Sequence, residues 1–111
     1  MRDGSRPANS PSPMVRHILL LQPRLDTSLE AIEACRVALV RLVGRIPGLL
    51  DCHWGENLAP PERREGLTYG FTMDFEDHDS LRKYLPHSEH QPVAALVRAA
   101  FERIVVLDLT L

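Results

Sequence analysis

Leu67-Thr68-Tyr69-Gly70-Phe71-Thr72-Met73-Asp74-Phe75 alternates strictly between large apolar or aromatic side chains and small or polar ones. A period of two places Leu67, Tyr69, Phe71, Met73 and Phe75 on one face of a pleated strand and Thr68, Gly70, Thr72 and Asp74 on the other. The stretch therefore predicts a strand with one face buried. Upstream, Leu49 to Asn57 (LLDCHWGEN) reads as a second strand. The polar LAPPERREG between them holds two adjacent prolines that cannot continue a ladder. Consecutive strands so joined most simply pair as an antiparallel hairpin.

Further toward the N-terminus, Val15 to Leu21 is short, apolar and stopped by Pro23, as a strand should be. Both of its faces are largely apolar, so both sides of its sheet should be covered, one by helices and one by a partner. Thr27 to Glu30 has the form of a capping box, which predicts that a helix starts there. Leu29, Ile32, Cys35, Leu39, Leu42, Val43 and Ile46 recur at helical spacing over about five turns, until Pro47-Gly48. On the C-terminal side, Glu76 to Ser80 caps a short helix through Leu85 that Pro86 stops. Ser88 to Gln91 opens another, with Pro92 tolerated in its first turn and a stripe of Val93, Leu96, Val97, Ala100 and Phe101. Ile104 to Leu111 closes the chain as a strand, apolar on both sides except for Asp108.

This order predicts an α+β fold, a ferredoxin-like βαββαβ unit with a four-stranded antiparallel sheet. Right-handed crossovers place the first strand between the third and fourth and leave the helices on one face. The bare apolar face predicts a homodimer that closes a dimeric α/β barrel. Alternation alone leaves open which strand face meets the helices.

Composition sets the outer bounds. The 111 residues, 44% hydrophobic, suit one core and one domain. Met1 to Pro13, rich in proline and short polar residues, is expected to be a disordered tail, with the domain at residues 14–111. A formal net charge of -2 gives no electrostatic reason to expect nucleic acid as a partner. Apolar runs are strand-sized and no secretion signal is evident, so the expectation is a soluble cytoplasmic protein without a membrane partner. Cys35 and Cys52 lack ligand spacing and read as free buried thiols.

The chemistry concentrates in Tyr84-Leu85-Pro86-His87-Ser88-Glu89-His90, which sets a phenol and two imidazoles around a proline. Tyr84 and His90 can donate, accept or move a proton near neutral pH, so a functional reading starts with this stretch. On an unbroken helix, six residues is about 600° of rotation and would point the two apart, whereas a break at Pro86 lets them converge. The bland alternative has Tyr84 packed on the sheet with its hydroxyl on a backbone carbonyl, and His90 merely beginning the next helix. His17 either pairs with Asp108 or faces a pocket and orients His90 or a substrate. The His87-x-x-His90 spacing supplies too few ligands for zinc, so no metal and no cofactor are expected. His53 and His78 read as exposed.

His17 on an early strand, Ile46-Pro47-Gly48 at a helix end, Trp54-Gly55 at a strand end, the Tyr84-x-x-His87-x-x-His90 stretch and Asp108 on the last strand occur in an order that resembles the stress-responsive dimeric α/β barrel (Dabb) family. The likeness covers residues 14–111 and implies the dimeric barrel. Within the family the chain is similar to polyketide cyclases. That similarity implies Tyr84 and His90 as a catalytic pair for a cofactor-free aldol condensation of a small apolar or β-dicarbonyl substrate. It implies His17, Tyr69, Cys35 and Leu39 as substrate contacts. Tyr69 stands where those cyclases carry a second pocket histidine, and Cys35, Arg36 and Leu39 stand where their first helix is aromatic, so the pocket is remodelled. Two other readings stay open: a non-catalytic stress or scaffold dimer, and a monooxygenase-like dimeric barrel protein.

Overall fold

In the computed structural model, which describes residues 12–111, the chain forms β1 (Val15–Pro23), α1 (Leu29–Val40), β2 (Leu49–Glu56), α2 (Pro61–Arg64), β3 (Tyr69–Phe75), α3 (His78–Tyr84), α4 (His90–Ala100) and β4 (Phe101–Thr110). Most of the expected N-terminal tail lies outside the described residues. The strands build one sheet in the order β2-β3-β1-β4, and every neighbouring pair is antiparallel. This is the ferredoxin-like α+β fold.

Register decides which face becomes the core. Val15 lies opposite Phe75 and Thr110, His17 opposite Met73 and Asp108, and Leu19 opposite Phe71 and Val106. Residues directly opposed across an antiparallel ladder share a face. The odd-numbered side chains of β1 and β3 accordingly meet the helices, and Leu21, Met73 and Phe75 are completely buried. Ile32, Cys35 and Leu39 of α1, Leu81 and Tyr84 of α3, and Val93 and Val97 of α4 close over them in one hydrophobic core. The even-numbered side chains of β1 and β3 form the other face together with the odd-numbered ones of β4. There Leu20, Val105, Leu107 and Leu109 are exposed, beside a bidentate pair in which Arg16 Nε and Nη2 lie 2.8 and 3.0 Å from the Asp74 carboxylate oxygens.

Several element ends differ from the sequence expectation, each for a local reason. The α1 N-cap is Ser28, whose Oγ accepts from the Ala31 N–H at 3.1 Å. Thr27 instead donates its hydroxyl to the Ala100 carbonyl at 2.7 Å, tying the start of α1 to the end of α4. The α1 helix stops at Val40 rather than near Ile46. Turns follow, with Gly44 at φ +91°, although Leu42 and Ile46 remain buried. Apolar spacing thus outlasts the helix. The polar loop after β2 contains the short helix α2, anchored by Pro61 in its first turn. No loop separates α4 from β4. Phe101 has extended φ and ψ, so it fills the core from the strand and not from the helical stripe.

Gly48 holds the junction of Ile46-Pro47-Gly48 with α3. Its φ is +82°, and a Cβ there would lie 2.2 Å from Ser80 Oγ and 2.5 Å from Ser80 Cβ. Gly48→Ala should destabilise the fold by about 2–4 kcal/mol, combining left-handed strain with overpacking. At Gly44, where a Cβ would meet nothing within 4 Å, alanine should cost only about 1–2 kcal/mol. Urea unfolding of the two variants checks the difference, and equal losses would refute the packing account.

Burial also acts on protons. The Cys52 thiol is pushed up to about 11, first by burial and then by the Asp51 carboxylate. Burial, with a smaller contribution from Cys52, lifts Tyr84 well above the ordinary phenol range. Both native groups hold a proton that the unfolded chain releases, near pH ~8.5 for a thiol and ~10 for a phenol. Stability should therefore be complete below pH ~8.5 and fall as pH climbs toward 11, by at most about 1.4 kcal/mol per pH unit for each proton. Unfolding curves recorded between pH 8 and 10.5 should show that slope, and Cys52→Ala should flatten it whatever its own effect on stability.

Candidate functional site

The helical path breaks just after Tyr84. The His87 N–H donates to the Tyr84 carbonyl at 3.0 Å and the His90 N–H to the His87 carbonyl at 2.9 Å, so two tight turns replace what would have been one more turn and a half of helix. Pro86 within the turn has no N–H to lose. The result brings residues six apart together. The ring centroids of Tyr84 and His90 are 4.2 Å apart, and that of His17, rising from β1, is 6.3 Å from Tyr84.

These three rings line a cavity of about 180 Å³. Its remaining walls are mostly aliphatic, with Leu39 from α1, Val97 from α4 and Val106 from β4, and an exposed Arg98 also lines it. A wider depression of about 410 Å³ lies beside Asp77, His78 and Asp79, open to solvent and acidic, and gathers neither Tyr84 nor His90.

The protons in the cavity can be placed by their partners. His90 Nδ1 lies 2.8 Å from the Leu85 carbonyl oxygen. A carbonyl can only accept, so Nδ1 carries the hydrogen and the neutral ring leaves Nε2 with a free lone pair. His17 Nδ1 lies 2.5 Å from Asp108 Oδ1, with the imidazole buried and the carboxylate half-exposed. Here too Nδ1 donates, which orients the ring. Tyr84 is buried, and its raised pKa keeps it a phenol, hence a donor, throughout the neutral range.

The sequence-predicted site residues divide. His17, Leu39, Tyr84 and His90 come together on the cavity. Tyr69 and Cys35 do not line it. Tyr69 shares a face with Phe71 but lies one pleat further along β3, where its ring packs 5.9 Å from Trp54 and 6.2 Å from Phe101. Cys35 lies one turn before Leu39 and faces α4, its thiol donating to the Leu96 carbonyl at 3.5 Å. The bland reading of His90 also holds in one respect, since it does begin α4. His87 turns away from His90, its Nδ1 accepting from the Glu89 N–H at 3.0 Å. Among the described residues no group of three or more His, Cys, Asp or Glu could hold a metal ion, and no helix is long and apolar enough to cross a membrane.

Sequence reasoning missed the contributions of α4 and β4 to the cavity wall. The signals were present. His90, Ala94 and Arg98 stand four residues apart on α4, and Ile104 and Val106 share the parity of Asp108 on β4.

Residues 15–111 match the family model described as the Stress responsive A/B Barrel Domain. The chain is 25% identical over 96 residues to olivetolic acid cyclase of Cannabis sativa, covering 86% of this chain and 95% of the relative. It is 27% identical over 94 residues to the stress-response A/B barrel domain-containing protein HS1 of Arabidopsis thaliana, covering 85% of this chain and 86% of that one. The crystal structure of a dimeric ferredoxin-like protein of unknown function from Jannaschia sp. CCS1 superposes with a TM-score of 0.79 at 27% identity, over 88% of this chain and 99% of the other. With a family match that takes in β1 through β4, this chain belongs to the stress-responsive A/B barrel (Dabb) family.

Proposed function

We propose that this protein is a cofactor-free enzyme of the polyketide-cyclase type, acting on a small β-dicarbonyl-like substrate. His90 Nε2 takes a proton from a carbon flanked by two carbonyls, and the Tyr84 hydroxyl donates a hydrogen bond to the enolate oxygen. The carbanion attacks a further carbonyl of the same molecule, and the alkoxide that forms recovers the proton from His90, so a ring closes with no atom gained or lost. His17, held by Asp108, orients the substrate or His90, and Leu39 supplies apolar wall. The observation that carries this reading is the convergence of an Nδ1-anchored imidazole and a neutral phenol at 4.2 Å on one apolar cavity. Similarity to a relative named as a cyclase supports it.

We also propose that the protein is a homodimer. The exposed face carrying Leu20, Val105, Leu107 and Leu109 is the surface a second copy would cover, and a relative of 27% identity is dimeric. Work in the cytoplasm agrees with the two free thiols. The non-catalytic dimer reading shares this surface and differs only in lacking proton transfer. The monooxygenase reading rests on fold likeness alone and is not adopted.

Proton abstraction can be watched without the natural substrate, as deuterium exchange at the central carbon of a simple β-diketone followed by NMR. His90→Ala should slow enzyme-dependent exchange by about 10²–10⁴-fold, and Tyr84→Phe by about 10²–10³-fold, with the dimer intact. A fully active His90→Ala protein would remove the proposal, and no exchange above buffer in the wild type would favour the non-catalytic dimer. Leu107→Glu should convert the dimer to monomer in light scattering. A monomeric wild type would sink the dimer assignment.

A further inference from the structure

Among the described residues that line the cavity, Arg98 is the one side chain of permanent charge. His90, Ala94 and Arg98 follow one another at four-residue intervals on α4, and all three line the cavity. Each interval advances about 6 Å along the axis with only about 40° of rotation, so the three form a row about 12 Å long. Helical side chains lean toward the N-terminus. That direction would carry the Arg98 guanidinium over Ala94 toward His90, where the alanine, having only a methyl group, leaves room beneath it. An imidazole stands at one end of the row and a cation at the other.

The guanidinium is also uncommitted. Among the described residues Arg98 makes no ion pair and no side-chain hydrogen bond, whereas Arg16, Arg36, Arg82 and Arg103 are each paired with a carboxylate. The usual structural duty of a basic residue in the last turn of a helix is already filled. Arg24 donates to the carbonyls of Arg98 and Ala99 at 3.0 and 3.2 Å. Asp108, the nearby acid of β4, is engaged with His17. The cavity thus holds a permanent cation with five donors and no anion to meet it.

We infer that Arg98 determines ligand specificity: the cavity takes a monoanionic, ring-sized molecule, its carboxylate on the Arg98 guanidinium and its apolar body over Ala94, with the opposite end at His90 and Tyr84. This rests on the reading of the cavity as the ligand site. Size agrees with it, since 180 Å³ slightly exceeds the roughly 150 Å³ of an apolar cavity that accommodates benzene. A carboxylate suits because its two oxygens match the guanidinium fork, and the substrate of the proposed reaction would then be a β-dicarbonyl acid rather than a neutral diketone.

The test compares benzoate with its neutral isostere benzamide, titrated at low salt into the full-length protein by NMR. Benzoate should bind about tenfold or more tightly than benzamide, shifting the ring signals of His17, Tyr84 and His90, and added salt should weaken benzoate alone. Arg98→Gln should bring the two affinities together. Arg98→Lys, which keeps the charge and loses the fork, should fall between. Equal binding of the two probes by the wild type, a preference that survives Arg98→Gln, benzoate shifts remote from α4, or no binding of either probe would each overturn the inference. The exchange assay and the probe titration, both run on the wild type, separate the two proposals. A charge preference without any wild-type exchange would remove the cyclase reading alone, and exchange without a charge preference would remove this inference alone.

Discussion

The placement of β1 between β3 and β4 is the constraint from which the remainder of the structure follows. Both edges of β1 are committed to ladders, so its parity is held twice over, and a slip of one residue against either neighbour would turn Val15, His17, Leu19 and Leu21 to the outer face. The same register sets His17 opposite Asp108 and beneath Tyr84, and sets Arg16 opposite Asp74 on the other side. Arg16 holds the Asp74 carboxyl below the usual carboxylate range through their hydrogen bonds. With one partner so exposed, solvent screens this ion pair, so hydrophobic burial on the opposite face, not this pair, secures the register.

The break after α3 shows how a local defect in a helix becomes a site. Proline ends the i to i−4 pattern, and the amide groups of His87 and His90 find new acceptors at Tyr84 and His87. The Leu85 carbonyl is met by the His90 ring. One imidazole thereby satisfies a backbone acceptor and, through that bond, has its own tautomer determined, with Nε2 left as the basic nitrogen. The phenol beside it is kept protonated by burial. Two groups of unlike proton affinity end up in contact because the chain had to turn there.

Much of this was legible beforehand. Strict alternation from Leu67 to Phe75 identified the strand and its buried side chains, and Phe71, Met73 and Phe75 are core residues. The proline between Tyr84 and His90 announced that the pair could meet, and their rings do. Tyr69 and Cys35 illustrate what such reading leaves open. Periodicity put Tyr69 on the correct face, but position along a strand is as decisive as parity, and one pleat beyond Phe71 it packs on Trp54 and Phe101. Cys35 belongs to the correct stripe of α1, yet a stripe about 100° wide touches more than one neighbour, and this thiol meets α4. The capping threonine was captured by a carbonyl 73 residues away, a competitor no local motif reveals.

By itself the sequence determined the order of the main elements, the parity of β3 and the interruption that lets Tyr84 approach His90, because these depend on contacts between residues near one another in the chain. Only the tertiary structure decided that the odd face of β1 meets the helices, that His17 joins the Tyr84 and His90 rings, and that α4 contributes Ala94 and Arg98 to the same cavity. Those outcomes depend on how far each element slides and rotates against its neighbours. That is set by the packing of side chains from seven elements at once, and no single stretch of sequence contains it.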